Sequence, residues 1–156
     1  MAKQLDVGDK APAFSMTRDG GGTISLAGLK GRTVVLYFYP KDDTPGCTTE
    51  AIDFSRLKSA FARAGAEVIG VSRDSVAKHE KFAAKHKLDV ALGADEDGAV
   101  TEAYGVWQEK SLYGRKYMGI QRATFLIDGA GVIRHVWPKV SVKGHADEVL
   151  AAVTAL

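Results

Sequence analysis

Among the side chains able to act as nucleophiles or soft metal ligands, one stands alone. Cys47 is the only cysteine among 156 residues, and it closes the run Thr44-Pro45-Gly46-Cys47. A single thiol excludes an internal disulfide, a multi-thiolate zinc site, an iron–sulfur cluster and a CxxC redox pair. If Cys47 does redox chemistry, its partner lies on another molecule. Thr44 is a favoured N-cap residue and Pro45 suits the first helical position. In that register Cys47 lies in the first turn of a helix. The backbone N–H groups of Gly46 and Cys47 then lack intrahelical acceptors, and the helix dipole adds partial positive charge. A negatively charged sulfur gains from both. The same N–H groups can hold an oxygen of a bound substrate, and Gly46, with no side chain, lets that oxygen approach. The opposing considerations are that a free cysteine is commonly an inert small hydrophobe, and that Asp42 and Asp43 disfavour a thiolate unless they face solvent or cap the helix.

The other reactive side chains form no constellation. His79, His86, His135 and His145 fall in separate stretches or two turns apart on one helix, which is poor metal geometry, and surface positions are expected for them. No metal and no cofactor is expected. His135 is the one candidate partner for Cys47 in a cysteine hydrolase or acyltransferase, the enzymatic runner-up. Lys110, Arg115 and Lys116 interleave with Trp107, Tyr113 and Tyr117 in a pattern suited to nucleic-acid stacking. The overall balance of 21 Lys+Arg against 19 Asp+Glu, a net charge of +2, argues instead for a loop beside the active site. The N-terminal MAKQLDVGDK has no apolar leader region, and no apolar run approaches the ~20 residues of a membrane span. A cytoplasmic, reducing location is therefore expected, with neither nucleic acid nor membrane as a partner.

The elements that must position Cys47 follow from periodicity. With 46% hydrophobic and 26% charged residues, the chain has the composition of a soluble globular protein. One domain over residues 1–156 is expected. Thr33 to Tyr39, TVVLYFY, is apolar on both faces and reads as a central strand. A helix follows from about Thr48 to Ala64, with Phe54, Leu57, Phe61 and Ala64 on one face and Gly65 as terminator. Glu67 to Ser72 completes a parallel β-α-β unit. A second helix spans about Ser75 to Lys87, a strand lies near Asp89 to Leu92, and a short helix near Ala99 to Gly105. VWQEKSLYGRKYMGIQ reads as a connection. Arg122 to Asp128 and Val132 to Trp137 form a hairpin across Gly129 to Gly131, and a last helix starts at about Gly144. Ala13 to Thr17 and Thr23 to Leu26 flank the turn DGGG. The order predicts an α/β fold, thioredoxin-like, with a mixed central β-sheet flanked by helices and an N-terminal β-hairpin extension.

YPKDDTPGCTTE, with Pro40, Thr44 and Cys47 spaced as P-x-x-x-T-x-x-C, resembles the active-site signature of the peroxiredoxins. GDKAPAF, EVIGVSRDS and GIQRATFLIDGAGVIRHVW extend the likeness, in order, to the bacterioferritin comigratory protein or peroxiredoxin Q subgroup. The resemblance implies a thiol peroxidase acting on hydrogen peroxide and small organic hydroperoxides. Cys47 would attack the terminal peroxide oxygen and become a sulfenic acid. Thr44 would hydrogen-bond the peroxide, Pro40 would shield the site from water, and Arg122 would stabilise thiolate and peroxide together. Glu50, one turn after Cys47, would orient Arg122. Tyr39 and Trp107 are further candidates to line the pocket.

The chain departs from the subgroup where a resolving cysteine would stand, at Ile52 and at Ala83. An external thiol, from thioredoxin, glutaredoxin, glutathione or a second subunit, must then reset the enzyme, and a monomer or weak homodimer is expected. The non-enzymatic alternative is a thioredoxin-like redox sensor or binding module.

Overall fold

The computed structural model describes residues 4–156; Met1 to Lys3, part of the stretch read as leaderless, lie outside the described residues. The strands are β1 (Ser15–Arg18), β2 (Thr23–Ser25), β3 (Thr33–Phe38), β4 (Ala66–Ser72), β5 (Ala91–Ala94), β6 (Trp107–Leu112), β7 (Arg115–Ile120), β8 (Ala123–Ile127) and β9 (Ile133–Trp137). The α-helices are α1 (Pro45–Arg56), α2 (Lys58–Arg63), α3 (Val76–His86), α4 (Ala99–Ala103) and α5 (His145–Thr154). Seven strands form one mixed sheet in the order β2-β1-β5-β4-β3-β8-β9. Strands β3, β4 and β5 run parallel, as the β-α-β reading requires, and β8 and the N-terminal hairpin add antiparallel neighbours. That hairpin is therefore part of the main sheet through β1 and β5. None of the described helices is long and apolar enough to cross a membrane.

Strand β3 shows why the sheet has two buried faces. Val34, Leu36 and Phe38 enter one apolar cluster with Phe14, Val71, Tyr104 and Phe125. Val35, Tyr37 and Tyr39 enter the other, with Cys47, Phe54 and Phe61, Phe82 of α3 and Val149 of α5. A period of two with apolar residues at every step leaves a strand no solvent face, so it settles at the centre. Cys47 thus belongs to the layer of α1, α2, α3 and α5.

Two readings are corrected. The helix expected over Thr48 to Ala64 is two helices joined at Leu57, whose N–H is shared between the carbonyls of Asp53 and Phe54 at 3.3 and 3.2 Å. That tightened closure ends α1, and Phe54 and Phe61 stay buried on either side of it. The connection VWQEKSLYGRKYMGIQ is the two-stranded hairpin β6–β7. Its loop, Tyr113-Gly114, has φ of 50° and 77°, the left-handed pair a tight hairpin turn demands. Both strands are largely exposed, so no apolar alternation announces them.

Gly70 of β4 pairs with Tyr37 of β3, and a Cβ there would lie 2.6 Å from the Tyr37 ring and hydroxyl. Tyr37 is fully buried and stacked on Phe54 at 4.6 Å, so it has nowhere to retreat. Gly70→Ala is expected to cost about 1–3 kcal/mol through overpacking. Urea denaturation checks this, and a loss below about 0.5 kcal/mol would mean that the ring can shift.

Candidate active site

Thr44 occupies the N-cap of α1 with extended backbone, and Pro45 opens the helix. Cys47 sits in the first turn, and its side chain is buried. Among the described residues, no hydrogen-bond acceptor is paired with the N–H of Gly46 or Cys47, while the Thr48 N–H closes the first turn on the Thr44 carbonyl. Thr44 differs from a side-chain cap in one respect. Its hydroxyl donates to the Lys41 carbonyl at 2.8 Å and makes no bond to the helix N–H groups.

Arg122 immediately precedes β8, and β8 lies beside β3, whose continuation leads through the loop at residues 40–44 into α1. Sheet order thereby delivers a guanidinium to the helix start from far along the chain. Its Nη2 donates to Cys47 Sγ at 3.3 Å, and its Nη1 donates to Glu50 Oε1 at 2.6 Å. Cys47 and Glu50, three residues apart, share one face of α1, so the planar fork serves both. Gly46 has a use the sequence reading did not include: a Cβ there would lie 3.2 Å from Arg122 Nη2. A bare backbone leaves space for the guanidinium itself.

Glu50 is 1% exposed at its side chain, and Oε2 has no hydrogen-bond partner. Burial pushes its pKa up to about 7 against the opposing pull of the Arg122 charge and hydrogen bond. Tyr37 is also fully buried with an unpartnered hydroxyl, and its pKa is raised well above the ordinary value by burial, then by the Glu50 and Cys47 charges. Sequence reasoning passed over Tyr37; its phase with Val35 on β3 was the available signal. Lys110, expected on a loop beside the active site, stands on strand β6. Partial burial and the Arg122 charge lower its pKa while Cys47 pulls the other way, so this amine belongs to the electrostatic field of the site.

The remaining expected site residues divide between the Cys47 layer and the rest of the fold. Trp107 packs against the cluster that excludes Cys47, and its ring lies under the Arg73 guanidinium at 3.4 Å. Tyr39 shares the Cys47 cluster, but its hydroxyl is committed to Asp42 Oδ1 at 2.5 Å. Pro40 is exposed at the start of the loop. His135 is exposed and stacked on Trp137 at 3.8 Å, so no Cys–His pair forms. Surface positions for the histidines are also corrected: His79 is fully buried and His145 nearly so. His79 faces Asp42, and His145 Nε2 lies 2.8 Å from the Thr124 hydroxyl oxygen. Burial lowers the His145 pKa to about 4. Among the described residues no cluster of His, Cys, Asp and Glu suits a metal ion.

The raised carboxyl of Glu50 carries a stability signature. Between its ordinary value of 4.5 and about 7, the folded chain keeps a proton that the unfolded chain releases. Stability from this group is complete below 4.5 and falls as pH rises through about 7. Relative to Glu50→Gln, the unaltered chain is expected to lose on the order of 3 kcal/mol between pH 4.5 and 7. Chemical denaturation of both proteins across this range measures it; parallel curves would show that Glu50 is already ionised at low pH.

The chain matches the AhpC/TSA family over residues 7–136. It is 49% identical to the peroxiredoxin Bcp of Bacillus subtilis over 146 residues, 94% of this chain and 93% of that one. It is 42% identical to the peroxiredoxin Bcp of Escherichia coli over 146 residues, with 94% of each chain covered. Among solved structures, the bacterioferritin comigratory protein of Xanthomonas campestris, described for its alkyl peroxide reduction activity, matches with a TM-score of 0.87 and 46% identity, covering 91% of this chain and 90% of that one. A PrxQ of Xylella fastidiosa matches with a TM-score of 0.93 and 37% identity over 99% and 98% of the two chains. The fold is that of these thioredoxin-like proteins.

Proposed function

Because the chain belongs to the AhpC/TSA family and is a thiol-dependent peroxidase of the peroxiredoxin Q kind, we propose that Cys47 is the sulfur that takes oxygen from the peroxide. The observation that carries this reading is the Arg122 fork, which touches Cys47 Sγ and Glu50 at once. The Cys47 thiolate attacks the terminal oxygen of a hydroperoxide, a sulfur–oxygen bond forms and the O–O bond breaks. Cys47 becomes a sulfenic acid, and the leaving alkoxide or hydroxide takes up a proton as alcohol or water. The charge that develops on the peroxide oxygens is met by Arg122 and by the unpaired N–H groups of Gly46 and Cys47, all in place beforehand. Thr44 has its hydroxyl proton on the Lys41 carbonyl, so it offers lone pairs to the O–H of the peroxide. Glu50 orients Arg122, and Pro40, exposed at the start of the loop, shields the sulfur from water.

With Cys47 as the only thiol, resetting needs an external one. The first thiol condenses with the sulfenic acid to a mixed disulfide and releases water; a second thiol frees Cys47. Thioredoxin, glutaredoxin and glutathione are the candidate reductants, and alkyl hydroperoxides and hydrogen peroxide the substrates. A single peroxidase domain, monomeric or weakly dimeric and working in a reducing cytoplasm, fits a free buried thiol.

Cys47→Ser is expected to abolish turnover, and Arg122→Ala to slow Cys47 oxidation by roughly 100-fold or more without unfolding the chain, the scale of losing a preorganised donor. Intact mass after one equivalent of peroxide should show one added oxygen or its dimedone adduct. Unchanged turnover in Cys47→Ser would remove the assignment. Peroxide consumption with each of the three reductants in turn identifies the thiol donor.

A further inference from the structure

Arg122 meets Cys47 and Glu50 on the helix that follows the loop at residues 40–44. The loop itself is held by a buried polar network that touches neither Cys47 nor Arg122. Asp42 is its centre: Tyr39 donates to Oδ1 at 2.5 Å, and His79 Nδ1 lies 2.6 Å from Oδ2. His79 Nε2 lies 2.9 Å from the Gly93 carbonyl oxygen. A carbonyl and a carboxylate only accept, so both ring nitrogens carry protons and His79 is an imidazolium. Burial opposes that cation, but the Asp42 hydrogen bond and charge and the Gly93 carbonyl outweigh it, and its pKa is raised. A buried ion pair is costly to assemble without a job of holding something in place.

What it holds is visible in the backbone. The Asp42 N–H donates to Asp74 Oδ2 at 2.8 Å, and the Ser72 hydroxyl donates to the same oxygen at 2.7 Å. The carbonyl of that same peptide unit, Lys41 C=O, is the acceptor of the Thr44 hydroxyl. One rigid plane therefore has its N–H tied to the β4–α3 junction and its carbonyl tied to Thr44. The carboxylate that follows is clamped by Tyr39 and His79. Tilting the plane would release the Thr44 proton and turn its lone pairs away from the peroxide.

We propose that His79, acting through Asp42 and the Lys41–Asp42 peptide, is a positioning residue that sets the Thr44 hydroxyl for the peroxide. This rests on the peroxide-binding role given to Thr44 above. Helix α3 thereby contributes to the oxidation step while touching neither sulfur nor substrate.

The test compares His79→Gln, Asp42→Asn, Thr44→Val and the double variant Thr44→Val/His79→Gln. The rate of Cys47 oxidation by hydrogen peroxide is followed by quenched-flow mass spectrometry. Alkylation by iodoacetamide, which needs the sulfur but not Thr44, serves as the second readout. His79→Gln and Asp42→Asn are expected to slow oxidation roughly tenfold or more, the scale of misplaced reacting groups. Alkylation should change less than about twofold, because the Arg122 contact with Cys47 is untouched. In the Thr44→Val background, His79→Gln should add no further loss. Oxidation at the unaltered rate in both single network variants overturns the proposal. So do losses that multiply in the double variant, or equal slowing of alkylation and oxidation. If Thr44→Val itself oxidises normally, the peroxide role of Thr44 falls, and His79 has nothing to position. Should His79→Gln fail to fold, Asp42→Asn, nearly isosteric, decides alone.

Discussion

The half-buried Arg122 guanidinium governs this structure. It lies between a carboxyl group and a sulfur, beside a layer filled by Val35, Phe54, Phe61 and Val149. A charge in such surroundings is tolerated only where its donors meet acceptors. Glu50 and Cys47 meet them from one face of α1, and the antiparallel pairing of β8 with β3 fixes the distance from which Arg122 reaches. The sheet order, the helix start and the missing side chain of Gly46 therefore serve one contact. Glu50 bears the cost: it is a carboxyl so deeply buried that it holds its proton toward neutrality.

The loop between β3 and α1 is fixed from both sides. Arg122 secures the helix that follows, while Asp42 and Asp43 secure the loop to α3. Asp43, with φ of 59°, pairs at the surface with Lys85 at 2.7 Å and His86 at 2.8 Å. Its pKa is lowered by the His86 and then the Lys85 hydrogen bonds. Exposed pairs of this kind contribute little alone. The interior pair of Asp42 with His79 is the stronger tie, because it is shielded from water and shares its carboxylate with Tyr39. The two acidic residues, which at first argue against a negatively charged sulfur, turn out to have cationic partners of their own.

Legibility in the sequence followed apolar periodicity and punctuation. Strand β3, the β-α-β unit, the β8–β9 hairpin and the last helix could be read because their burial leaves a period of two or near four. Hairpin β6–β7 could not, since its strands carry polar and charged residues on both faces and only Tyr113-Gly114 marks the turn. The break at Leu57 was hidden because Phe54 and Phe61 keep the same face through it. The histidines misled for a related reason: a polar residue in a helix reads as exposed unless its partner is known. The partner of His79 lies 37 residues earlier, on the loop after β3.

The sequence by itself determined that any redox chemistry falls on one sulfur, that this sulfur sits at a helix start, and that it cannot be reset from within. These follow from residue count and local backbone preference, which act over a few neighbouring residues. Only the tertiary structure decided which charges surround it. Arg122 comes to Cys47, while Trp107 goes to the other face of the sheet and His135 to an exposed edge strand. Strand pairing sets those placements, and it joins residues far apart in the chain through hydrogen bonds and burial that no local pattern encodes.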